Sequence, residues 1–228
     1  MRLFLCERDD RVQVARDPTM TYLEQIRRRP AGKASLLALL VAGFAVPTGA
    51  WTIYQEQLAL QPQSKLWVEG TSTVRGFSCQ ASEVNATVDA TGANAVARLM
   101  TGDKAVQTVN VVVPSEKLDC GNGTMNDHMR KAIKASDNPT IAFKVTSYDL
   151  AKEPNGVSGT LTGTLSLGGQ TKTITVPATG VMTDGALRVT GSYELAMSDY
   201  NLTPPSLMFG RIKVRDKVTV KFDLTLKS

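Results

Sequence analysis

Apolar and polar residues alternate along most of the chain after Ser64, the period expected of strands with one buried face. The pattern is plainest late in the sequence. Val157, Gly159, Leu161, Gly163, Leu165 and Leu167 alternate with Ser158, Thr160, Thr162, Thr164 and Ser166. Gly168-Gly169 then reads as a two-residue hairpin turn, and the next strand sets Ile174, Val176 and Ala178 against Thr173 and Thr175. Asp184-Gly185 is a second turn signal, followed by Leu187, Val189, Gly191, Tyr193, Leu195 and Met197 on one face. In the last strand Val218, Val220, Phe222, Leu224 and Leu226 alternate with Lys217, Thr219, Lys221, Asp223, Thr225 and Lys227.

Earlier strands are noisier. Leu66, Val68 and Val74 fall on one face, Val84 to Ala90 and Ala95 to Met100 read as a strand pair around Thr91-Gly92, Ala105 to Val113 ends in a valine run, and Ile141, Phe143 and Val145 open another strand. The expectation is about eight strands in residues 64–228, preceded by a loose linker over 51–63. One segment breaks the period. In Thr124 to Ser136, Met125, Met129 and Ile133 recur every four residues, a helical face that reads as a lid on the sheet. Thr124 with Asp127 resembles a capping box, and Asn138-Pro139 stops the helix. Eight antiparallel strands must hide their edges, by closing into a barrel or stacking as a sandwich. Several inward positions are Gly or Ala, which would leave space inside; the pattern by itself fits both a solid core and a hollow one.

The first 50 residues differ in kind. Arg27, Arg28, Arg29 and Lys33 precede an uncharged stretch from Ser35 to Val46, and Thr48 and Ala50 are small residues ahead of a cut before Trp51. A positive region, a short apolar run and a small-residue exit are the parts of a secretory signal. The apolar run is about 18 Å long as a helix, short of the roughly 30 Å membrane core, and an uncleaved anchor is the alternative. Residues 1–19 mix charges of both signs, so Met20 is the expected start.

That leader changes the charge picture. Residues 1–50 carry eight Lys+Arg and five Asp+Glu, whereas residues 51–228 carry eighteen and sixteen. The remainder is nearly balanced, with no basic block, and nucleic acid is not an expected partner. Only Cys79 and Cys120 follow the leader, and two cysteines in an exported chain read as one disulfide, the alternative being two free thiols. One histidine, His128, excludes a multi-histidine metal centre in a single chain. No nucleophile elbow, zinc-protease motif, P-loop or dinucleotide fingerprint is present, and Asp127 and His128 are adjacent on the helix rather than stacked. The expectation is therefore a protein without enzymatic activity, cofactor or metal.

Three blocks carry a family resemblance. Val109 to Leu150 holds a V-x-V-x-V run, a helix with Asp127-His128-Met129, and then Pro139 to Phe143 in the form P-x-I-x-F. Gly163 to Lys172 matches G-x-L-T-x-x-G-x-T-K loosely, and Ser198-Asp199-Tyr200 precedes the final alternating strand. In order and spacing these resemble the YceI-like family of bacterial exported proteins over about 160 residues. Two features depart from the family pattern: Thr71, in Val68-Glu69-Gly70-Thr71-Ser72, stands where the family's opening element has a histidine, and the cysteine pair is additional.

The resemblance implies an all-β fold, a closed antiparallel lipocalin-like barrel, here with one short helix and a signal helix before it. It implies a periplasmic or secreted location after cleavage near Ala50, and an apolar interior holding an isoprenoid lipid, polyprenyl or quinone-like. Transient contact with a membrane or membrane protein and a homodimer are further expectations. The alternative is a solid-core envelope stress or interaction module without a bound lipid. The residues expected to line the lipid cavity are Leu161, Leu165, Ile174, Val176, Leu187, Val189, Tyr193, Leu195, Val220, Phe222 and Leu224, with Phe143 and Met129 nearer the mouth.

Overall fold

The late alternating runs form long antiparallel strands, and their turns have the conformation their residues allow. The computed structural model describes residues 55–207 and 209–228. The leader, the cut before Trp51 and the start at Met20 lie outside them. The strands are β1 (Gln55–Gln57), β2 (Ala59–Leu60), β3 (Lys65–Ser72), β4 (Gly76–Ala81), β5 (Asn85–Thr91), β6 (Val106–Pro114), β7 (Leu118–Asp119), β8 (Thr140–Glu153), β9 (Gly156–Leu167), β10 (Gln170–Thr183), β11 (Ala186–Ala196), β12 (Ser206–Leu207) and β13 (Ile212–Lys227). Two α-helices, α1 (Ala95–Met100) and α2 (Gly123–Ala132), interrupt them. The fold is all-β: one antiparallel sheet, curled into a half-barrel, runs β1-β5-β6-β8-β9-β10-β11-β13-β3-β4-β7, with β2 and β12 also paired to β13.

Gly168 and Gly169 sit at φ 55° and 82°, and Asp184 and Gly185 at φ 50° and 74°. Both central residues of each turn are thus left-handed, the geometry whose twist suits a two-residue hairpin. The register closes on each turn, Leu167 opposite Gln170 and Thr183 opposite Ala186. Polar residues point outward and pair across strands, as in the hydroxyl contacts Thr162–Thr175 at 3.1 Å and Thr179–Thr190 at 2.9 Å.

Several expectations need correction. Ala95 to Met100 is a helix, not a strand. Ala95, Val96 and Leu99 are buried at helical spacing, and the Glu56 carboxylate accepts the Ala95 N–H at 2.8 Å. The α2 helix is capped by Asn122, whose side chain accepts the Met125 N–H at 3.1 Å, rather than by Thr124 with Asp127. The segment read as a loose linker supplies two strands. The β1 strand pairs with β5 and β2 with β13, and between them Leu58 is 1% exposed and donates its N–H to the Val88 carbonyl at 2.9 Å. Val74 lies in the β3–β4 turn, 68% exposed, instead of sharing the inner face of Leu66 and Val68. The described sheet has thirteen strands rather than about eight, nine of them of six residues or more.

The buried core is divided in two. One cluster gathers Val113, Leu118, Ile133, Leu167, Leu195, Tyr200, Leu202 and Val218; the other gathers Leu58, Val88, Val96, Leu99, Leu187 and Leu226. On β11 and β13 the clusters are joined by the same register, Leu195 opposite Val218 and Leu187 opposite Leu226. From Val218 to Leu226 is about 27 Å along the strand.

Candidate functional site: an apolar cavity

Between the two clusters the inward residues of the same strands are only half-buried. Val189 and Tyr193 on β11, and Val220, Phe222 and Leu224 on β13, follow this pattern. They are apolar, they face inward, and they are only partly covered by protein, because they border a cavity of about 530 Å³. That size lies within the ordinary range for ligand sites. Nearly all of its lining is hydrocarbon, drawn from β3–β6, β8–β11, β13 and both helices.

All thirteen residues expected at a cavity lie on this wall: Leu161, Leu165, Ile174, Val176, Leu187, Val189, Tyr193, Leu195, Val220, Phe222, Leu224, Phe143 and Met129. The sequence reading missed the first half of the wall. Leu66 and Val68 on β3, Val109 and Val111 on β6, and Leu99 on α1 also line it. The valine alternation over 109–113 was the available signal for β6; Leu99 was hidden by reading its helix as a strand. Met125 and Met129 of α2 and Ile133 just after it border the cavity, and Met129 and Ile133 also pack in the first cluster.

The space does not come from inward glycines. A side chain at Gly191 would collide with the Phe222 ring, and one at Gly70 with the Phe77 ring; each aromatic ring lies over the glycine opposite it in register. At Gly163 an added carbon would strike the Lys144 carbonyl, beside the β8 bulge between Val145 and Ser147. These glycines admit rings and backbone, so the hollow comes from the spacing of the strands around it.

Few polar groups reach the lining. Ser72 and Arg75 border it near the β3–β4 turn, His128 on α2, and Asp149 on β8, where Asp149 is held outward by Lys104 at 2.9 Å. Because Val74 both lines the cavity and is mostly exposed, the wall opens to solvent at that turn. The opposite side of this mouth is made by Pro205, Leu207, Ile212 and Val214. Tyr148 secures the wall by donating its hydroxyl to the Val106 carbonyl at 3.1 Å and accepting the Val106 N–H at 2.9 Å, and burial pushes its ionisation upward.

Cys79 and Cys120 form a disulfide that ties β4 to the turn before α2, both cysteines bordering the cavity. Among the described residues no group of three His, Cys, Asp or Glu is placed to hold a metal ion, and no helix is long and apolar enough to cross a membrane. Asp127 lies against Arg130 at 3.7 Å.

Comparison with known proteins agrees with this fold. The YceI-like domain profile matches residues 51–226. The structure of BcnA from Burkholderia cenocepacia aligns with a TM-score of 0.58 at 20% identity, covering 73% of this chain and 99% of that one. A polyisoprenoid binding domain from Saccharophagus degradans, implicated in plant cell wall breakdown, aligns with a TM-score of 0.50 at 11% identity, covering 77% of this chain and 99% of that one. No curated protein sequence matches the chain.

Proposed function

The chain belongs to the YceI-like family, and from that premise we propose that it is a non-enzymatic binding protein that holds an isoprenoid lipid, polyprenyl or quinone-like, in its cavity. The observation that carries this is the continuous hydrocarbon lining between two sealed clusters. A prenyl chain is insoluble in water and offers no hydrogen bonds. A wall of Leu, Val, Ile and Phe side chains gains about 0.8 kcal/mol per buried methylene-sized group without needing polar recognition. The resemblance to a polyisoprenoid binding domain supports the same ligand class. A solid-core interaction module is the reading that a 530 Å³ hollow opposes.

In this reading the run Gln55–Leu60, paired to β5 on one side and β13 on the other, closes the sheet at one end and keeps water from the bound chain. The leader pattern and the disulfide support an exported, oxidising location, with carriage of the lipid through the periplasm.

The test is solvent extraction of protein purified from its own host, with mass spectrometry of what is released. A prenyl lipid is expected with the wild type, and its loss with Leu165→Arg and Phe222→Arg, each checked for a folded circular-dichroism spectrum. A lipid-free wild type at native expression, or folded arginine variants that keep full lipid, would overturn the proposal. Chemical turnover of the bound lipid that disappears in His128→Ala would overturn its non-enzymatic part.

A further inference from the structure

Two stretches meet at the cavity mouth, the β3–β4 turn and the β12–β13 hairpin. They are stitched together: the Thr73 hydroxyl donates to the Arg211 carbonyl at 2.9 Å, and the Thr73 N–H donates to the Lys213 carbonyl at 3.0 Å. Each carries a large apolar side chain pointing into solvent, Val74 at 68% and Phe209 at 111% exposure. Phe209 is held there by a left-handed backbone, φ 54°, which a bulky residue rarely adopts. It stands on the turn between Leu207 and Ile212, both of which line the cavity.

The charge around this tip is of one sign. Residues 72–76 and 203–215 contain Arg75, Arg211, Lys213 and Arg215 and no carboxylate. All four are exposed, and none has an ion-pair partner among the described residues, whereas Arg188, Lys217 and Lys221 on the same sheet are paired. The next acid, Asp216, is held by the Ser198 hydroxyl at 2.6 Å and the Ser198 N–H at 2.8 Å. The β10–β11 hairpin is the contrast. Its Val181 and Met182 are also exposed, but the cation opposite Val181 is Arg188, which Asp223 already holds.

We propose that the Val74–Phe209 tip, ringed by Arg75, Arg211, Lys213 and Arg215, docks on an anionic phospholipid bilayer, with Phe209 entering the headgroup region and the cavity mouth facing the membrane. Apolar residues that insert, surrounded by cations that meet phosphate, are the combination by which a protein lies on such a surface without spanning it. Docking there lets a hydrophobic chain pass between bilayer and cavity without crossing water. This deepens the lipid-binding reading and rests on it only for the transfer step.

The test uses the purified protein with vesicles of phosphatidylglycerol or of phosphatidylcholine. Co-sedimentation is expected with the anionic vesicles, weakening as salt rises. Arg75→Glu combined with Arg211→Glu is expected to reduce it by more than about tenfold, Phe209→Asp to reduce it comparably, and Met182→Asp to leave it unchanged. Phe209→Trp is expected to give an emission blue shift with anionic vesicles, which needs no loss of binding to be read. Absence of binding to phosphatidylglycerol, equal binding to phosphatidylcholine, or unchanged binding in both tip variants would overturn the proposal. The cavity variant Leu165→Arg keeps vesicle binding if the tip is the docking face, and Phe209→Asp keeps uptake of prenyl lipid supplied in detergent micelles. Docking without any captured lipid would leave this inference standing and remove the carrier function; captured lipid without docking would do the reverse.

Discussion

Tyr200 shows how a single hydroxyl is placed against its own chemistry. The ring is 2% exposed within the cluster that seals one part of the sheet, and its oxygen has no hydrogen-bond partner among the described residues. Burial, with Tyr193 and Asp199 nearby, pushes its ionisation up to about 12. The neutral form is therefore favoured by the fold. The stability linked to keeping this proton is fully present below pH 10, where the unfolded chain also stays protonated, and is lost as pH rises from 10 toward 12. Tyr200→Phe removes a buried donor that costs desolvation and is expected to raise stability by about 1 kcal/mol at neutral pH. It is also expected to flatten the alkaline fall in a series of urea melts between pH 8 and 11.5. An unchanged alkaline slope in the variant would show that another group governs it.

At the scale of elements, β7 and α2 are held only lightly by the sheet. β7 contributes only two residues, and α2 has no buried residue within its helical span. The disulfide fastens both. It closes a loop of about 42 residues, for which the chain-entropy account gives about 4 kcal/mol. Cys79→Ser with Cys120→Ser is expected to lower the unfolding free energy by that order in urea titration. A change below about 1 kcal/mol would mean that packing alone holds α2 against the cavity. The same elements mark how far the sequence could be read. The strands from Gly156 onward were legible because each has one apolar face, and the paired Gly168-Gly169 and Asp184-Gly185 fix their turns and hence their register. Ala95 to Met100 was not, because six residues make fewer than two helical turns and the Glu56 carboxylate that receives its first N–H is remote in sequence. Gln55–Leu60 looked polar because only Leu58 is deeply buried, while Glu56 accepts the Ala95 N–H, Gln57 donates its side-chain amide to Asp89, and Leu60 is half-buried against the same cluster as Leu58. The cavity wall was legible on its late strands for the same reason the strands were. The hollow itself was not, since alternation gives the direction of a side chain and not what lies beyond it.

Across the described fold, the side chains that hold the sheet together are continuous with those that face the cavity. The two clusters hold the β11–β13 pair at Leu195–Val218 and at Leu187–Leu226, while the span between them presents half-covered Val189, Tyr193, Val220, Phe222 and Leu224 to the cavity. A bound hydrocarbon would finish burying that span, so filling and folding are linked. A ligand that binds only the folded chain adds about 2.7 kcal/mol when present at 100 times its dissociation constant. Protein stripped with organic solvent and refolded is therefore expected to melt several degrees below the lipid-loaded form, and to recover when a polyprenol is returned in micelles. Leu165→Arg, with its charge set in the wall, is expected to melt at one temperature whether or not the polyprenol is added. A stripped wild type that melts where the loaded form does would mean that the cavity adds nothing by being filled.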